Sequence, residues 1–183
     1  VRGRAAVLAD PLLDRMLVSP DEIMDKVEEL GAAITRDYQG ADLVLLTVLR
    51  GGLIFLADLC RHIDLPLTMD FMAISSYSGG GAAVRITKDL DDAIEDRHVL
   101  IIEDIIDTGL TLNYLMGVLR QRKPASIEVC TLLDKDARRI ADLNIAYRGF
   151  RIPDRFVVGY GLDLGGRFRN LPFVATLKEE VMG

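Results

Sequence analysis

Three carboxylates within five residues, followed at once by two threonines and a glycine, form the part of this sequence best suited to chemistry. Glu103 and Asp104 are adjacent, Asp107 follows, and Thr108, Gly109 and Thr111 come next, all inside the run VLIIEDIIDTGLTL at 99–112. The apolar residues before the acids predict a strand over 99–106, and Asp107-Thr108-Gly109 predicts a turn into a helix that runs to about residue 122. A helix N-terminus presents unpaired N–H groups and the positive end of its dipole, which together favour a phosphate. Gly109 permits close approach there, and the threonine hydroxyls can donate. Adjacent carboxylates just outside such a cradle can accept hydrogen bonds from vicinal sugar hydroxyls. The pattern reads as a site for a ribose 5-phosphate.

Competing readings of the same residues are weaker. The nucleotide-binding loop G-x-x-x-x-G-K-[ST] is absent, and no strand is followed by the dinucleotide fingerprint G-x-G-x-x-G. Asp-Thr-Gly after apolar residues also occurs in aspartic proteases, but that chemistry needs two such aspartates sharing a proton, and here one copy stands in an alternating strand–helix pattern. A helix merely capped by Asp107 or Thr108 accounts for one acid, not three.

Other segments supply the elements that must position these groups. Ser19-Pro20-Asp21-Glu22 has the pattern of a capping box, and Ile23, Val27, Leu30, Ile34 and Tyr38 recur at helical spacing until Gly40. Residues 42–49 are almost continuously apolar, as in a strand buried on both faces, and lead through Arg50-Gly51-Gly52 into a second helical run. Further strands are expected over 67–74, 126–133, 156–160 and 173–177, and the Gly-rich stretch 75–84 reads as a mobile loop. Strands alternating with helices indicate an α/β fold with a mainly parallel, twisted sheet flanked by helices. In such folds ligands sit beyond the carboxyl ends of the strands, so the loops after residues 49, 74, 106, 133 and 160 are the ones to watch.

Bulk properties narrow the function classes. A chain of 183 residues suits a single domain with a sizeable core. The net charge of −6 argues against a general binder of nucleic acid or membrane surfaces. The charge is uneven, however: residues 120–170 carry eleven Lys/Arg against six Asp/Glu, and the remainder carries eleven against twenty-two. A basic segment in an acidic chain suits a small anionic ligand. Cys60 and Cys130 are far apart in sequence and read as reduced, buried thiols, and neither they nor His62 and His98 fall at zinc spacing. No stretch approaches a membrane span, and the apolar run near the N-terminus is too short for a signal peptide, so a cytoplasmic location is expected. Val1 in place of an initiator Met suggests trimming.

The run at 99–112 resembles the phosphoribosyl-pyrophosphate signature of the type I phosphoribosyltransferases, and similarity to their hypoxanthine–guanine branch extends over about 19–177. The resemblance implies one domain over 1–183, with a small base-binding hood formed by the terminal segments at roughly 1–20 and 150–183. It implies purine salvage: transfer of the phosphoribosyl group of 5-phosphoribosyl-1-pyrophosphate to a 6-oxopurine base, hypoxanthine or guanine, giving IMP or GMP and pyrophosphate with Mg²⁺ as cofactor. A homodimer or homotetramer is expected, with no membrane or nucleic-acid partner. The alternative is a regulatory relative that keeps the phosphosugar site and binds nucleic acid; the net charge, Lys135, Phe156 and Asp163 count against it.

Residue by residue, the resemblance implies that Glu103 and Asp104 hold the ribose hydroxyls, that Asp107 to Thr111 bind the 5′-phosphate, and that Asp107 accepts a proton near purine N7. Leu49 to Gly52 resembles the pyrophosphate loop, where a non-proline cis peptide turns backbone amides toward the ligand; Arg50 stands where the family often has Lys, and Gly51 lies beside it. Ser76 and Tyr77 match the pair that closes over the reacting centre and excludes water. Lys135 matches the donor to the 6-oxo group; an ammonium cannot accept from the amino group of adenine. Phe156 would stack on the purine and the Val157 backbone would read its edge. Asp163, with Glu103 and Asp104, would hold Mg²⁺ partly through water, and Arg169 would contact pyrophosphate. After Asp163 the family usually has a Tyr and a Glu, whereas this chain reads Leu164-Gly165-Gly166-Arg167.

Overall fold

The computed structural model describes residues 10–77, 83–178 and 180. Six strands form the main sheet: β2 (Leu43–Leu49), β3 (Leu67–Tyr77), β4 (Ala83–Lys88), β5 (His98–Ile106), β6 (Ser126–Asp134) and β7 (Tyr147–Arg151), in the order β4-β3-β2-β5-β6-β7. All neighbours pair parallel except β3 with β4. A separate antiparallel sheet joins β1 (Leu13–Val18), β9 (Val174–Leu177) and β8 (Val157–Val158).

The continuous apolar runs follow from burial of the central strands on both faces. Leu43, Leu45, Leu100, Ile102, Cys130 and Leu132 point to one side, where they pack with α1 (Pro20–Asp37) and α2 (Leu53–Leu59). Val44, Leu46, Val99, Ile101 and Val129 point to the other and meet Leu112, Leu115, Met116 and Leu119 of α3 (Leu110–Arg120). Alternation along each strand thus feeds two cores, and no polar face remains to break the run. The small sheet has its own cluster of Leu13, Val158, Phe168, Leu171, Phe173, Ala175 and Leu177.

Helix α1 forms as its sequence dictates. Ser19 Oγ accepts from the Glu22 amide while the Glu22 carboxylate accepts from the Ser19 amide, Pro20 occupies the first turn, and Ile23, Val27, Leu30 and Ile34 are buried. The expected loop over 75–84 needs correction. Ser75 to Tyr77 continue β3 and Ala83 and Val84 begin β4, in antiparallel register, so a two-stranded arm flanks 78–82, which lie outside the described residues. Strands β1, β4 and β7 were not expected. The strand expected over 156–160 contracts to Val157–Val158, because Gly159, Tyr160 and Gly161 take positive φ and turn the chain.

That turn packs directly on the loop after β2. A Cβ added to Gly161, where φ is 102°, would lie 2.2 Å from the Gly51 carbonyl oxygen. Gly161→Ala is therefore expected to destabilise the chain by roughly 2–4 kcal/mol, combining left-handed strain with a backbone clash, as urea denaturation would measure.

Candidate active site

A cleft of about 770 Å³ opens beyond the carboxyl ends of β2, β3, β5 and β6 and is closed on one side by the segment that joins β7 to the small sheet. Glu103, Asp104, Asp107, Thr108, Gly109, Thr111, Arg50, Gly51, Lys135, Phe156, Val157, Asp163 and Arg169 all line it. Residues from five separated stretches of sequence are thus brought together. Ser76 and Tyr77 end β3, two and three residues past Ile74, which also lines the cleft.

Parallel register sets the positions of the acids. Ile106 pairs with Asp134, and Glu103 with Thr131, so the ends of β5 and β6 lie level, and Asp107 and Lys135 leave their strands side by side. On the other flank Thr47 Oγ1 of β2 donates to the Ile102 carbonyl at 2.7 Å. The Leu49–Arg50 peptide is cis. The chain then passes so close to Asp104 that a Cβ on Gly51 would lie 1.9 Å from its Oδ2. Gly109 has φ 78° at the start of α3, and a Cβ there would lie 2.6 Å from Leu143 Cδ1. Only glycine fits both constraints.

Electrostatics separate the carboxylates. Asp104 is buried, and burial pushes its carboxyl up to about 6 against the opposing effect of the Ile105 N–H and the Arg169 charge. Burial raises Glu103 well above the carboxylate range, with the Asp104 charge adding to it. Arg169 offsets only part of this cost for Asp104, and sugar hydroxyls or a bound cation would relieve the pair further. Asp107 differs: its Oδ2 accepts from Arg138 Nη1 at 3.2 Å, while its Oδ1 is buried and has no hydrogen-bond partner. A buried acceptor without a donor marks a place for one.

Lys135 is only 6% exposed, and its ammonium lies 3.9 Å from Asp154 Oδ1, within ion-pair range and beyond a hydrogen bond. Arg138 reaches the same Asp154 oxygen at 3.6 Å. Arg138 and Asp154 line the cleft and escaped the sequence reading. The signal was spacing: Lys135 and Arg138 bracket a 3₁₀ turn at Asp136–Arg138, where side chains three apart share a face. Phe156, 40% exposed at the cleft wall, is not the core residue its type would suggest.

The departure after Asp163 has a structural meaning. Leu164 pairs with Arg167 across Gly165 and Gly166, whose φ angles of 58° and 84° suit a primed two-residue turn. The turn lets the Gly166 amide donate to Asp163 Oδ2 at 2.6 Å while Arg169 Nη2 meets Oδ1 at 2.6 Å. Arg169 Nη1 also donates to the Gly161 carbonyl at 2.5 Å. The Gly166 amide and the Arg169 guanidinium thereby hold Asp163 between them, one on each oxygen.

A mostly parallel sheet with paired acids ahead of a helix N-terminus defines an α/β phosphosugar-binding architecture, and the phosphoribosyl transferase domain model matches residues 16–164. Over 172 residues the chain is 51% identical to the hypoxanthine-guanine phosphoribosyltransferase of Bacillus subtilis (strain 168), covering 92% of this chain and 96% of that protein. It is 46% identical over the same length to the enzyme of that name from Streptococcus pneumoniae (strain ATCC BAA-255 / R6), with the same coverage. A crystal structure of a hypoxanthine phosphoribosyltransferase from Staphylococcus aureus superposes with a TM-score of 0.93 at 46% identity, covering 99% of each chain. The chain belongs to the phosphoribosyltransferase family, in its hypoxanthine–guanine branch.

The raised Asp104 carboxyl has a consequence for the ligand-free protein. A carboxylate held higher when folded than when unfolded costs stability as pH rises from its unfolded value, near 4, through the folded value of about 6. In metal-free buffer Asp104→Asn should therefore raise stability by about 1–3 kcal/mol at pH 7.5 and by little at pH 4, as thermal denaturation at both pH values would show.

Proposed function

We propose that this chain is a purine-salvage enzyme that transfers the 5-phosphoribosyl group from 5-phosphoribosyl-1-pyrophosphate to hypoxanthine or guanine, releasing pyrophosphate. The observation that carries this reading is the buried, unpartnered Asp107 Oδ1, set in one cleft with the buried Lys135 ammonium and the amides that open α3. A 5′-phosphate on the turn at 107–111 leaves the ribose beside Glu103 and Asp104 and directs the base toward Phe156 and Lys135.

In this scheme the bond between the anomeric carbon and pyrophosphate breaks through an oxocarbenium-like state. The Arg50 and Arg169 guanidiniums and the Gly51 backbone face the charge that grows on the leaving group. Purine N9 forms the new bond, and the N7 proton passes to Asp107 Oδ1, so no covalent enzyme intermediate arises. Arg138 on Oδ2 leaves Oδ1 as the acceptor. Lys135 donates to the 6-oxo group, Phe156 stacks on the ring, and the Val157 backbone reads its edge. Ser76 and Tyr77, on the β3–β4 arm, cover the centre and exclude water. The small sheet with the segment at 150–170 serves as the base-binding hood.

Among the described residues no group of three or more His, Cys, Asp or Glu side chains is arranged to hold a metal ion. The adjacent Glu103 and Asp104 carboxyls, pushed toward neutrality by burial at the cleft, fit Mg²⁺ carried in on the substrate, since this ion keeps several waters and takes one or two carboxylates together with phosphate oxygens. When bound, Mg²⁺ would neutralise charge on the pyrophosphate; Glu103 and Asp104 would hold it, with Asp163 reaching it only through water. Among the described residues no helix is long and apolar enough to cross a membrane. We place the enzyme in the cytoplasm as a homodimer or homotetramer.

An absorbance assay with 5-phosphoribosyl-1-pyrophosphate, Mg²⁺ and each purine in turn tests the substrate. Hypoxanthine and guanine should turn over and adenine should be essentially inert; adenine turnover at the hypoxanthine rate would remove Lys135 from base selection. Asp107→Asn should lower kcat by about 10²–10⁴ while IMP still binds. An unchanged kcat in that variant would take Asp107 out of proton transfer.

A further inference from the structure

Outside the cleft, one buried carboxylate gathers two arginines. Asp134 closes β6 and is 1% exposed; its Oδ1 accepts from Arg139 Nη2 and its Oδ2 from Arg148 Nε of β7 at 2.7 Å. None of the three lines the cleft. They differ in what else they touch. Arg139 Nε donates to the Asp107 carbonyl at 3.3 Å, and the next two amides, of Ile140 and Ala141, donate to the Thr108 carbonyl at 3.0 and 3.1 Å. The 139–141 segment therefore grips the outer edge of two consecutive peptide planes.

A trans peptide is planar, with its C=O and the following N–H pointing in opposite directions. Turning the carbonyls of Asp107 and Thr108 outward aims the N–H groups of Thr108 and Gly109 the other way, and both residues line the cleft. We propose that Arg139, fixed by Asp134, is a positioning residue for the phosphate-binding turn: it sets the direction of the amides that receive the 5′-phosphate. The assignment rests on the function proposed above and extends it to a residue that does not touch substrate. Its guanidinium suits the task because Nε and Nη2 serve two acceptors from one rigid plane, which a lysine ammonium on a flexible stem does less well. Arg148 supplies the comparison, since it bonds the same carboxylate from the β7 side.

The test is steady-state kinetics of wild type, Arg139→Ala, Arg139→Lys and Arg148→Ala, with a thermal midpoint for each. Arg139→Ala should raise KM for 5-phosphoribosyl-1-pyrophosphate about tenfold and leave KM for hypoxanthine within about twofold. Arg148→Ala should lower the thermal midpoint and leave both KM values within about twofold. Should Arg139→Ala fail to fold, Arg139→Lys, which keeps a cation on Asp134, should retain the midpoint and still raise KM for the phosphoribosyl donor about threefold or more. Equal effects of Arg139→Ala and Arg148→Ala on that KM, or no effect of either Arg139 variant, would make the cluster a structural brace and overturn the proposal. Wild-type enzyme unable to use the phosphoribosyl donor would remove the proposed function and this inference with it; wild-type turnover with an unaltered KM in the variants would remove the inference alone.

Discussion

At Gly51 the backbone runs within side-chain distance of the Asp104 carboxylate, and the surrounding elements are arranged to permit that approach. Gly52 follows, where a Cβ would lie 2.2 Å from Thr47 Oγ1, and a Cβ on Gly161 of the small-sheet side would lie equally close to the Gly51 carbonyl oxygen. Strands β2 and β5 therefore meet through the short Thr47 and Asp104 side chains, and the turn after β8 meets the loop after β2 backbone to backbone. The result is a floor on which the carboxylates of β5, the loop after β2 and the Asp163–Arg169 pair lie close enough to share one small, highly charged ligand.

The molecule treats its buried acids in two ways, and the contrast separates scaffold from site. Asp134 is buried with a guanidinium on each oxygen. Asp70, also buried, accepts the amides of Phe71, Asp91 and Asp92 at the base of the β3–β4 arm, with Lys88 3.6 Å away. These charges are compensated and hold elements together. Glu103 and Asp104 are pushed toward neutrality by burial, and Asp107 keeps one oxygen without a partner. Incomplete compensation costs stability in the free protein and is relieved only by what binds. Sites that are stabilised by their ligand are expected to look like this.

Much of the fold was legible because the central strands are buried on both faces. Their apolar runs at 42–49, 99–106 and 126–133 are unmistakable, and Ser19 to Glu22 states where α1 begins. Strand β7 was hidden because Tyr147-Arg148-Gly149-Phe150-Arg151 lies at a sheet edge, where the arginines reach acids instead of solvent alone. Strand β4 was hidden by the glycines that precede it. In the site, Glu103 to Thr111 could be read from residue chemistry, and Lys135 and Phe156 only through family resemblance. Arg138 could be read only from its three-residue spacing from Lys135, while Asp154 and Arg139 carried no local signal: Asp154 meets Lys135 from another segment, and Arg139 meets Asp134 only once a 3₁₀ turn folds.

A crystal structure of the protein with IMP bound tests the central claim most directly, because one ligand carries the phosphate, the ribose and the 6-oxopurine together. The phosphate should lie on the amides at 108–111, with the ribose hydroxyls on Glu103 and Asp104. The purine should stack on Phe156, with O6 in hydrogen-bond range of Lys135 Nζ and N7 facing Asp107 Oδ1. A phosphate seated instead on Arg50 and Arg169, with the base remote from Lys135 and Asp107, would contradict the account.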